Sequence, residues 1–255
     1  MKVVILAGGK GTRIAEETNS KPKPMVEIGG QPILWHIMQH FCHYGFCEFI
    51  IALGYKGDVI KEYVLNYGRT SGDITVDFRN GKVERSAEET KSWRVHLMDT
   101  GQETLTGGRV KRLEKLLGNE RFFLTYGDGV ADVDLRAVLE FHKSVAPVAT
   151  VTAVRPTARF GTINFNGDKI DRFAEKSQVD VGWINGGYMI MEPEIFNYLD
   201  GDHSVLELDA LEILAHKGKL AGFKHEGFWH CMDSLRDKNV LEEMWKSGSP
   251  QWKIW

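Results

Sequence analysis

The sequence is poor in cysteine and proline and contains no long hydrophobic run. Three of its 255 residues are cysteine and seven are proline. Cys42, Cys47 and Cys231 are odd in number and lack Cys-x-x-Cys spacing, so we expect neither a disulfide framework nor a zinc site, as is typical of a reducing compartment. The apolar residues before Gly8 are too few for a signal peptide, and no stretch has the length of a transmembrane helix. These absences predict a cytoplasmic protein with no membrane partner.

Charge of one sign is not concentrated anywhere in the chain. Lys and Arg number 32, Asp and Glu number 35, and the formal net charge is −3. Because this composition does not provide a broad basic surface, we expect no nucleic-acid partner, and the positive charge that matters for function should be local. Hydrophobic residues make up 42% of the sequence, which is enough for one large α/β core.

The first stretch of the chain predicts a phosphate-binding loop. Residues Val3–Leu6 form a short β-branched run, typical of a strand buried on both faces of a parallel sheet. Three glycines follow between positions 8 and 11, and their missing Cβ atoms let backbone N–H groups form an anion-binding concavity. Arg13 and Lys23 add full positive charge, the first as a planar fork and the second as a point charge.

Two prolines stiffen the segment that carries Lys23. Pro22 and Pro24 fix their own φ angles and restrict the residues before them, which lowers the entropic cost of aiming the lysine at a phosphate. The P-loop spacing is not present, and Ile14 stands where the dinucleotide fingerprint requires its third glycine. An ordinary strand-to-helix turn is the alternative that the glycines alone leave open.

Apolar residues alternate between helical and strand spacing along the chain. Predicted helices cover Gln31–Tyr44, Gly57–Tyr67, Arg109–Leu117, Leu208–His216 and Arg236–Trp245. Predicted strands cover Val3–Leu6, Phe49–Leu53, Asp73–Phe78, Trp93–Met98, Arg121–Thr125, Val148–Val154, Thr162–Phe165, Lys169–Phe173 and Tyr188–Met191, with a hairpin turn at Asn166-Gly167. The pattern predicts an α/β fold with a doubly wound, mostly parallel mixed sheet, whose ligands lie beyond the carboxyl ends of the strands.

Several short motifs are similar to those of one enzyme family. The run Gly8–Arg13, followed closely by Lys21–Met25, resembles the signature of the sugar-1-phosphate nucleotidylyltransferases. Motifs that resemble the branch of this family using CTP and glucose 1-phosphate are Val26–Gly30, Leu53–Gly57, Thr106–Arg109, Tyr126–Gly129, Ile184–Gly187 and Gly227–Asp233. The resemblance implies a Rossmann-like core with a strand-rich sugar-binding lobe. Because the chain ends at Trp255, we expect no C-terminal β-helix.

The resemblance also implies how the chain is divided. No Ser/Pro-rich linker interrupts the sequence, so residues 1–255 are predicted to form a single nucleotidyltransferase domain. Residues 1–130 would form the nucleotide-binding lobe, residues 131–235 the sugar-binding lobe, and residues 236–255 a C-terminal helix and tail. The product, CDP-glucose, would feed the synthesis of surface polysaccharide such as O-antigen.

Nucleotidyl transfer to a sugar phosphate exchanges one phosphoanhydride for another. The attacking phosphate oxygen is already ionised at neutral pH, so the reaction needs no general base and no enzyme nucleophile. The enzyme must hold two polyanions in line and offset their repulsion with cations. Basic side chains, backbone donors and carboxylates for Mg²⁺ are therefore the residues to look for.

The family pattern assigns such roles residue by residue. Catalysis is assigned to Arg13 on the β- and γ-phosphates and to Lys23 on the α-phosphate. Nucleotide binding is assigned to Leu6, Ala7, Gly8, Gly9, Lys10, Gly11, Thr12, Arg13, Lys23, Thr104, Gly107, Gly108 and Arg109. Sugar-phosphate binding is assigned to Gly127, Glu175, Lys176, Asn185 and Gly186, and Mg²⁺ binding to Asp128 and Asp233. One departure is Ser177, since the family usually has proline after Glu-Lys.

Structural roles compete with several of these assignments. Asp128 could be an ordinary turn aspartate, Asp233 a helix N-cap, and Gly107–Arg109 a helix start. A Glu-Lys pair such as Glu175-Lys176 is most often a surface ion pair.

The sequence is also compatible with rival functions. In the same class, UTP or dTTP could replace CTP. A nucleotide-sugar glycosyltransferase would use an Asp-x-Asp metal motif, which Asp132-Val133-Asp134 fits formally, although a helix cap before Leu135 explains it better. A non-catalytic nucleotide-sugar sensor would keep the binding loops and tolerate loss of Lys23 or of a metal aspartate.

Three further features give expectations about surfaces. His36, His40 and His43 share a helical flank away from the apolar stripe, so we expect solvated side chains and no metal site. Trp252 and Trp255 on a short tail suggest a subunit contact. The charged connection Gly81–Ser92 is too long for a simple hairpin and should be functional or reach a neighbour. We therefore predict a homo-oligomer, with a hexamer as one candidate.

Overall fold

The computed structural model describes residues 1–18, 20–67, 73–85, 92–156, 162–174 and 182–255, with side chains described in those ranges except at 13, 15, 16, 85, 162–166 and 172–174. The strands, in chain order, are β1 (Val3–Ala7), β2 (Glu27–Ile28), β3 (Gln31–Pro32), β4 (Glu48–Leu53), β5 (Ile74–Asp77), β6 (Lys82–Arg85), β7 (Arg94–Asp99), β8 (Phe122–Tyr126), β9 (Gly129–Ala131), β10 (Ala149–Val154), β11 (Thr162–Asn166), β12 (Lys169–Ala174), β13 (Ile184–Met191), β14 (Leu220–His225) and β15 (Trp229–Cys231).

Helices connect these strands. They are α1 (Ala15–Thr18), α2 (Ile33–His43), α3 (Gly57–Tyr67), α4 (Thr106–Arg112), α5 (Glu114–Leu117), α6 (Leu135–Val145), α7 (Ile213–His216) and α8 (Leu235–Lys246). Short 3₁₀ turns cover Thr12–Ile14, Lys23–Met25 and Pro193–Tyr198, and a π-helical segment, Leu206–Glu212, runs into α7.

A seven-stranded sheet organises the protein. Its strand order is β14-β10-β13-β8-β1-β4-β7. Strand β13 pairs antiparallel with both of its neighbours, and the other pairings in the sheet are parallel. The predicted mostly parallel mixed sheet is therefore confirmed. The loops after β1, β4 and β8 all leave from the same edge, as expected for parallel strands.

Both faces of this sheet are covered by apolar side chains. Along β1, Val3 and Ile5 pack into one hydrophobic cluster, whereas Val4 and Leu6 pack into a second cluster on the opposite face. Helix α2 covers the first face, and the Leu206–Glu212 segment covers the second. The continuous apolar sequence of β1 follows from burial on both sides.

Small two-stranded ribbons surround the sheet. β11 and β12 form the predicted hairpin around Asn166-Gly167. β5 pairs with β6 through a turn at Asn80-Gly81, so the prediction that Gly81–Ser92 is a charged connection between strands was wrong for residues 82–85, which form a strand. The charged residues of β6 lie on a solvated hairpin, where alternation does not show an apolar face. Residues 86–91 lie outside the described part of the chain.

The expectation that no disulfide forms was also wrong. Cys42 in the last turn of α2 is bonded to Cys47, which directly precedes β4. Gly45, with φ of +88°, reverses the chain between them and brings the two Cα atoms to 4.6 Å. Cys-x-x-Cys spacing did not indicate this pair, because four residues of a helix-to-strand turn separate the two cysteines. Cys231 is not in a disulfide.

Two of the three helix-flank histidines are buried, contrary to the prediction. His36 and His40 are 0% and 2% exposed, and His43 is exposed. The Nε2 atoms lie within hydrogen-bond distance of the carbonyl oxygens of Ile28 (2.9 Å) and Val133 (2.7 Å). Burial lowers the pKa of both rings to about 4, so they are neutral at neutral pH. They serve packing, and the expected absence of a metal role is not tested by this arrangement.

The C-terminal tail folds back onto this flank. Trp252 is 1% exposed, stacks near Trp245 and Phe228, and its Nε1 donates to His36 Nδ1 at 3.3 Å. The suggestion that Trp252 reaches another subunit was therefore wrong, because the side chain is buried within its own chain. Trp255 also packs internally, edge-on to Trp35. Among the described residues, no helix is both long enough and apolar enough to cross a membrane.

We expect Trp252→Phe to lower the free energy of unfolding by about 1–3 kcal/mol, because His36 Nδ1 loses its donor in a buried site. Urea unfolding followed by tryptophan fluorescence or circular dichroism measures the change. Gln251→Ala, at the exposed neighbouring position, is the control and should leave stability nearly unchanged. Equal stability of the two variants would contradict the docked tail.

Candidate active site

The loop after β1 is shaped by its own backbone. Gly11 has φ of +62°, a left-handed conformation that favours glycine. Its carbonyl accepts from Thr18 Oγ1 at 3.1 Å, which ties the loop to α1. Within the part of the chain that the structure describes, none of the N–H groups from Gly9 to Thr12 donates to another residue. The loop therefore presents several backbone donors to a ligand, as a phosphate cradle requires.

The side chain of Arg109 holds this loop in position through hydrogen bonds to backbone carbonyl groups. The guanidinium donates to the carbonyl oxygens of Gly8 (3.1 Å), Leu53 (3.0 Å) and Gly101 (2.6 Å), and the side chain is only 5% exposed. It also donates to Thr100 Oγ1 and to the carbonyl oxygen of residue 102. A Cβ at Gly8 would lie 2.2 Å from the guanidinium, so glycine is needed there. Arg109 thus joins the loops after β1, β4 and β7.

A cavity of about 410 Å³ opens above the glycine loop. It is lined by Leu6, Ala7, Gly8, Gly9, Gly11, Thr12, Lys23, Pro24, Thr104, Leu105, Thr106, Arg109, Tyr126, Gly127 and Asp128. Most of the residues assigned to the nucleotide by resemblance are brought together here. We call this cavity the glycine-loop cleft.

A second cavity, of about 310 Å³, lies beside the first. It is lined by Thr125, Tyr126, Asp128, Gly129, Ile184, Asn185, Gly186, Gly187, Trp229, Cys231 and Asp233. Tyr126 and Asp128 line both cavities, so the two spaces meet at the end of β8. We call this second cavity the β13 cleft. Two ligands bound in the two clefts would face each other across Asp128.

A charged triad stands where the clefts meet. Lys23 Nζ lies 2.6 Å from Asp128 Oδ2 and 2.5 Å from Asp233 Oδ1. The lysine side chain is 12% exposed, while the two carboxylates are about one quarter exposed. Burial opposes the ammonium charge, but the Asp128 carboxylate and the hydrogen bonds to both aspartates raise the pKa of Lys23 above its ordinary value. The lysine is therefore charged at neutral pH.

Comparison with known proteins gives the family. A family model described as nucleotidyl transferase matches residues 2–237. The chain belongs to the nucleotidyl transferase family. The glucose-1-phosphate cytidylyltransferase of Salmonella typhimurium is 47% identical to it over 100% of both chains. The mannose-1-phosphate guanyltransferase of Aspergillus oryzae is 30% identical over 94% of this chain and 62% of its own length.

Solved structures agree with this assignment. HddC from Yersinia pseudotuberculosis superposes with a TM-score of 0.70 at 25% identity, covering 96% of this chain and 99% of HddC. The fold predicted from the sequence resemblance, including its Rossmann-like core, is therefore confirmed. Membership in the nucleotidyl transferase family makes the chain an enzyme that transfers a nucleotidyl group.

Some family-assigned residues do not line either cleft. Gly107 and Gly108 are buried in α4, where the Gly108 N–H donates to the Ser204 carbonyl at 3.0 Å. Lys10 is exposed and pairs with Glu103 at 3.0 Å. The side chain of Arg13 and the pair Glu175-Lys176 lie outside the described residues. Asn185 and Gly186 line the β13 cleft, as the assignment to the sugar phosphate requires.

The donor atoms between the clefts fit a divalent cation. One oxygen of each of Asp128 and Asp233, together with the Cys231 sulfur, lie within 4.8 Å of one another. Mg²⁺ takes one or two carboxylates plus water and phosphate oxygens, so the two aspartates meet its preference. Burial, with the neighbouring Asp128, raises the pKa of the Cys231 thiol, and a protonated thiol is a poor ligand for Mg²⁺. Asp128 and Asp233 are therefore the residues that would hold the cation.

Helix capping accounts for Asp134 but not for Asp233. Ser234, and not Asp233, caps helix α8, since its side chain accepts from the Asp237 N–H. Asp134 caps α6 by accepting from the N–H groups of Arg136 and Ala137, as predicted for the Asp-x-Asp sequence. Its partner Asp132 pairs with His225 at 2.9 Å. Neither Asp132 nor Asp134 lines a cleft, so this sequence lacks the placement of a glycosyltransferase metal motif.

Sequence reasoning missed a polar network at the boundary of the clefts. Glu207 accepts hydrogen bonds from the Tyr126 hydroxyl and, at 2.8 Å, from Thr106 Oγ1. Thr106 Oγ1 in turn accepts from the Leu206 N–H at 3.0 Å. Tyr126 directly precedes Gly127-Asp128 at the strand end, which was a usable signal. Glu207 gave none, because an acidic residue on a helical segment is ordinary.

We expect Glu207→Ala to raise KM about tenfold for both substrates, because Tyr126 and Thr106 lose the acceptor that orients them. Steady-state kinetics with each substrate varied in turn measures the change. Glu212→Ala, on the same segment but 59% exposed and lining neither cleft, should leave KM unaltered. A double-mutant cycle with Tyr126→Phe should show non-additivity. Additive effects would contradict a shared network.

Proposed function

We propose that this protein transfers the cytidylyl group of CTP to glucose 1-phosphate and releases diphosphate. The observation that supports the reaction type is the meeting of two clefts at Asp128, with the glycine loop in one and Asn185 and Gly186 in the other. The substrates are proposed from the 47% identity, over full length, with the Salmonella typhimurium glucose-1-phosphate cytidylyltransferase. The glycine-loop cleft would hold the triphosphate, and the β13 cleft the sugar phosphate.

In this proposal a sugar-phosphate oxygen attacks the α-phosphorus, and the bond to the bridging oxygen of the β-phosphate breaks. The N–H groups of residues 9–12 bind phosphate oxygens, and Lys23 offsets the charge at the reacting phosphorus. Asp128 and Asp233 would hold Mg²⁺, which neutralises charge on the phosphates when it is bound. Arg13 keeps its assigned contact with the β- and γ-phosphates as part of the proposal, and the pair Glu175-Lys176 keeps its assigned contacts with a sugar hydroxyl and the sugar phosphate.

The experiment offers glucose 1-phosphate with CTP, UTP, dTTP or GTP and measures both diphosphate and nucleotide sugar. We expect CTP to give CDP-glucose with one diphosphate for each product molecule. A preference for UTP or dTTP would overturn the choice of nucleotide. Transfer of a sugar with release of a nucleoside diphosphate would overturn the reaction type.

The quaternary structure and the setting of the reaction belong to this proposal as well. A homo-oligomer remains our prediction, although Trp252 no longer supports it, and light scattering at micromolar concentration tests it. Supply of CDP-glucose to polysaccharide synthesis follows only from the family resemblance, and a cytoplasmic location stays a prediction from the sequence.

A further inference from the structure

Lys23 has two different sets of neighbours. Its side chain lines the glycine-loop cleft, where a triphosphate would lie, and its ammonium also contacts both aspartates. The two contacts, at 2.6 and 2.5 Å, make the lysine the shared counterion of a carboxylate pair. Its backbone lies in the 3₁₀ turn Lys23–Met25, directly after Pro22. The proline restricts the backbone, so the position from which the side chain extends is well defined.

The same two oxygens would hold a divalent cation. A Mg²⁺ bound to Asp128 and Asp233 at about 2.1 Å would lie in direct contact with the ammonium. Contact between a divalent and a monovalent cation at this range is strongly repulsive, and the side chain is largely shielded from water. Lys23 and the metal therefore compete for one position.

We propose that Lys23 closes the metal position of this protein until a triphosphate draws the ammonium away, so that metal and nucleotide enter together. The proposal rests on the proposed function only in assigning the glycine-loop cleft to a triphosphate. The polyanion offers Lys23 new partners in the cleft that its side chain already lines. The carboxylates are then available to the cation that the triphosphate carries.

This arrangement couples two binding events. Because the coupling is reciprocal, nucleotide must raise metal affinity by the factor by which metal raises nucleotide affinity. It also offsets one of the two negative charges of the carboxylate pair while the clefts are empty, which limits occupation by cations without substrate. Replacement of Lys23 by a neutral residue should remove the competition and leave the pair open to metal.

The test measures Mn²⁺ binding alone, by electron paramagnetic resonance or calorimetry, with the full chain and no nucleotide. We expect Lys23→Met to bind Mn²⁺ roughly tenfold or more tightly than the unaltered protein. Lys21→Met is the matched control, because it removes the same charge two residues away, where Lys21 pairs with Glu27 at 3.1 Å. Its Mn²⁺ affinity should equal that of the unaltered protein.

Two further arms separate this proposal from the assigned function. Asp233→Asn added to Lys23→Met should abolish the gain, and Lys23→Gln replaces Lys23→Met if the latter fails to fold. Addition of CTP should then tighten Mn²⁺ binding in the unaltered protein far more than in Lys23→Met. A Lys23→Met variant that binds Mn²⁺ no more tightly overturns the proposal. Tightening by UTP and not CTP would leave the lysine competition in place and overturn only the nucleotide assignment.

Discussion

Asp233→Asn should lower kcat by roughly three orders of magnitude, because the exchange removes one of two charges that face the reacting phosphates. Asp233 follows Asp128 by 105 residues in the sequence, yet both carboxylates contact the same ammonium. Asparagine has nearly the same shape as aspartate, so the fold should be retained. Diphosphate release at saturating CTP, glucose 1-phosphate and Mg²⁺ measures the effect.

Asp134→Asn is the matched control for this variant. It makes the same chemical change, but Asp134 caps helix α6 and lines neither cleft, and asparagine is an equally good cap. We expect its kcat to equal that of the unaltered protein. An Asp233→Asn variant with turnover close to that of Asp134→Asn would remove Asp233 from the metal site.

Arg109→Met should lower the free energy of unfolding by about 3–5 kcal/mol, because it leaves several buried carbonyl groups without a donor. The guanidinium serves the carbonyl oxygens of Gly8, Leu53 and Gly101 at once. The loops after β1 and β7 line the glycine-loop cleft, so the same variant should also show a higher KM for the nucleotide. Chemical denaturation and steady-state kinetics measure the two effects.

Two variants sharpen this prediction. Arg112→Met removes an arginine one helical turn away whose partner, Asp202, is a solvent-exposed carboxylate, so stability should change little. Arg109→Lys keeps the charge but not the planar fork, and we expect an intermediate loss. Equal stability of Arg109→Met and Arg112→Met would contradict the role of Arg109 as a clamp between loops.

The strands that are buried on both faces could be predicted from local sequence, whereas strands at the sheet edge and beside turns could not. Val3–Leu6 and Phe49–Leu53 were predicted within one residue at each end because continuous apolar runs have few other solutions. Strand β13 begins at Ile184 and not at Tyr188: Asn185-Gly186-Gly187 is typical of a turn, but Ile184 and Asn185 pair with Val154 and Ala153 of β10 before a register shift. Strand β14 was missed because Leu220–His225 shows only a weak alternation of apolar and polar residues. At the edge of the sheet, none of its side chains is fully buried.

The burial of the α2 histidines shows why some surfaces are not predictable locally. The helical wheel placed His36 and His40 away from the apolar stripe, which is correct for an isolated helix. The C-terminal tail and strand β9, more than 85 residues away, cover that flank. A prediction from one segment cannot include the partner that will cover it, so tertiary packing decided the outcome.

Some residues of the candidate site could likewise be predicted from local sequence, and others could not. The glycine loop and its basic residues were identified from spacing and charge, because they form one continuous segment. The carboxylates of Asp128 and Asp233 were assigned only by family resemblance, since nothing local links residues so far apart. The contacts of Lys23 with both of them, and of Glu207 with Tyr126, required the folded chain.

The central claim is that this protein shields phosphate charge and forms no covalent intermediate with the nucleotide. The most direct test is exchange of labelled diphosphate into CTP without glucose 1-phosphate, with labelling of CTP from CDP-glucose and diphosphate as the positive control. We predict no exchange until the sugar is supplied, because the two substrates react directly across Asp128. Exchange without sugar phosphate would show a nucleotidyl-enzyme and contradict the claim.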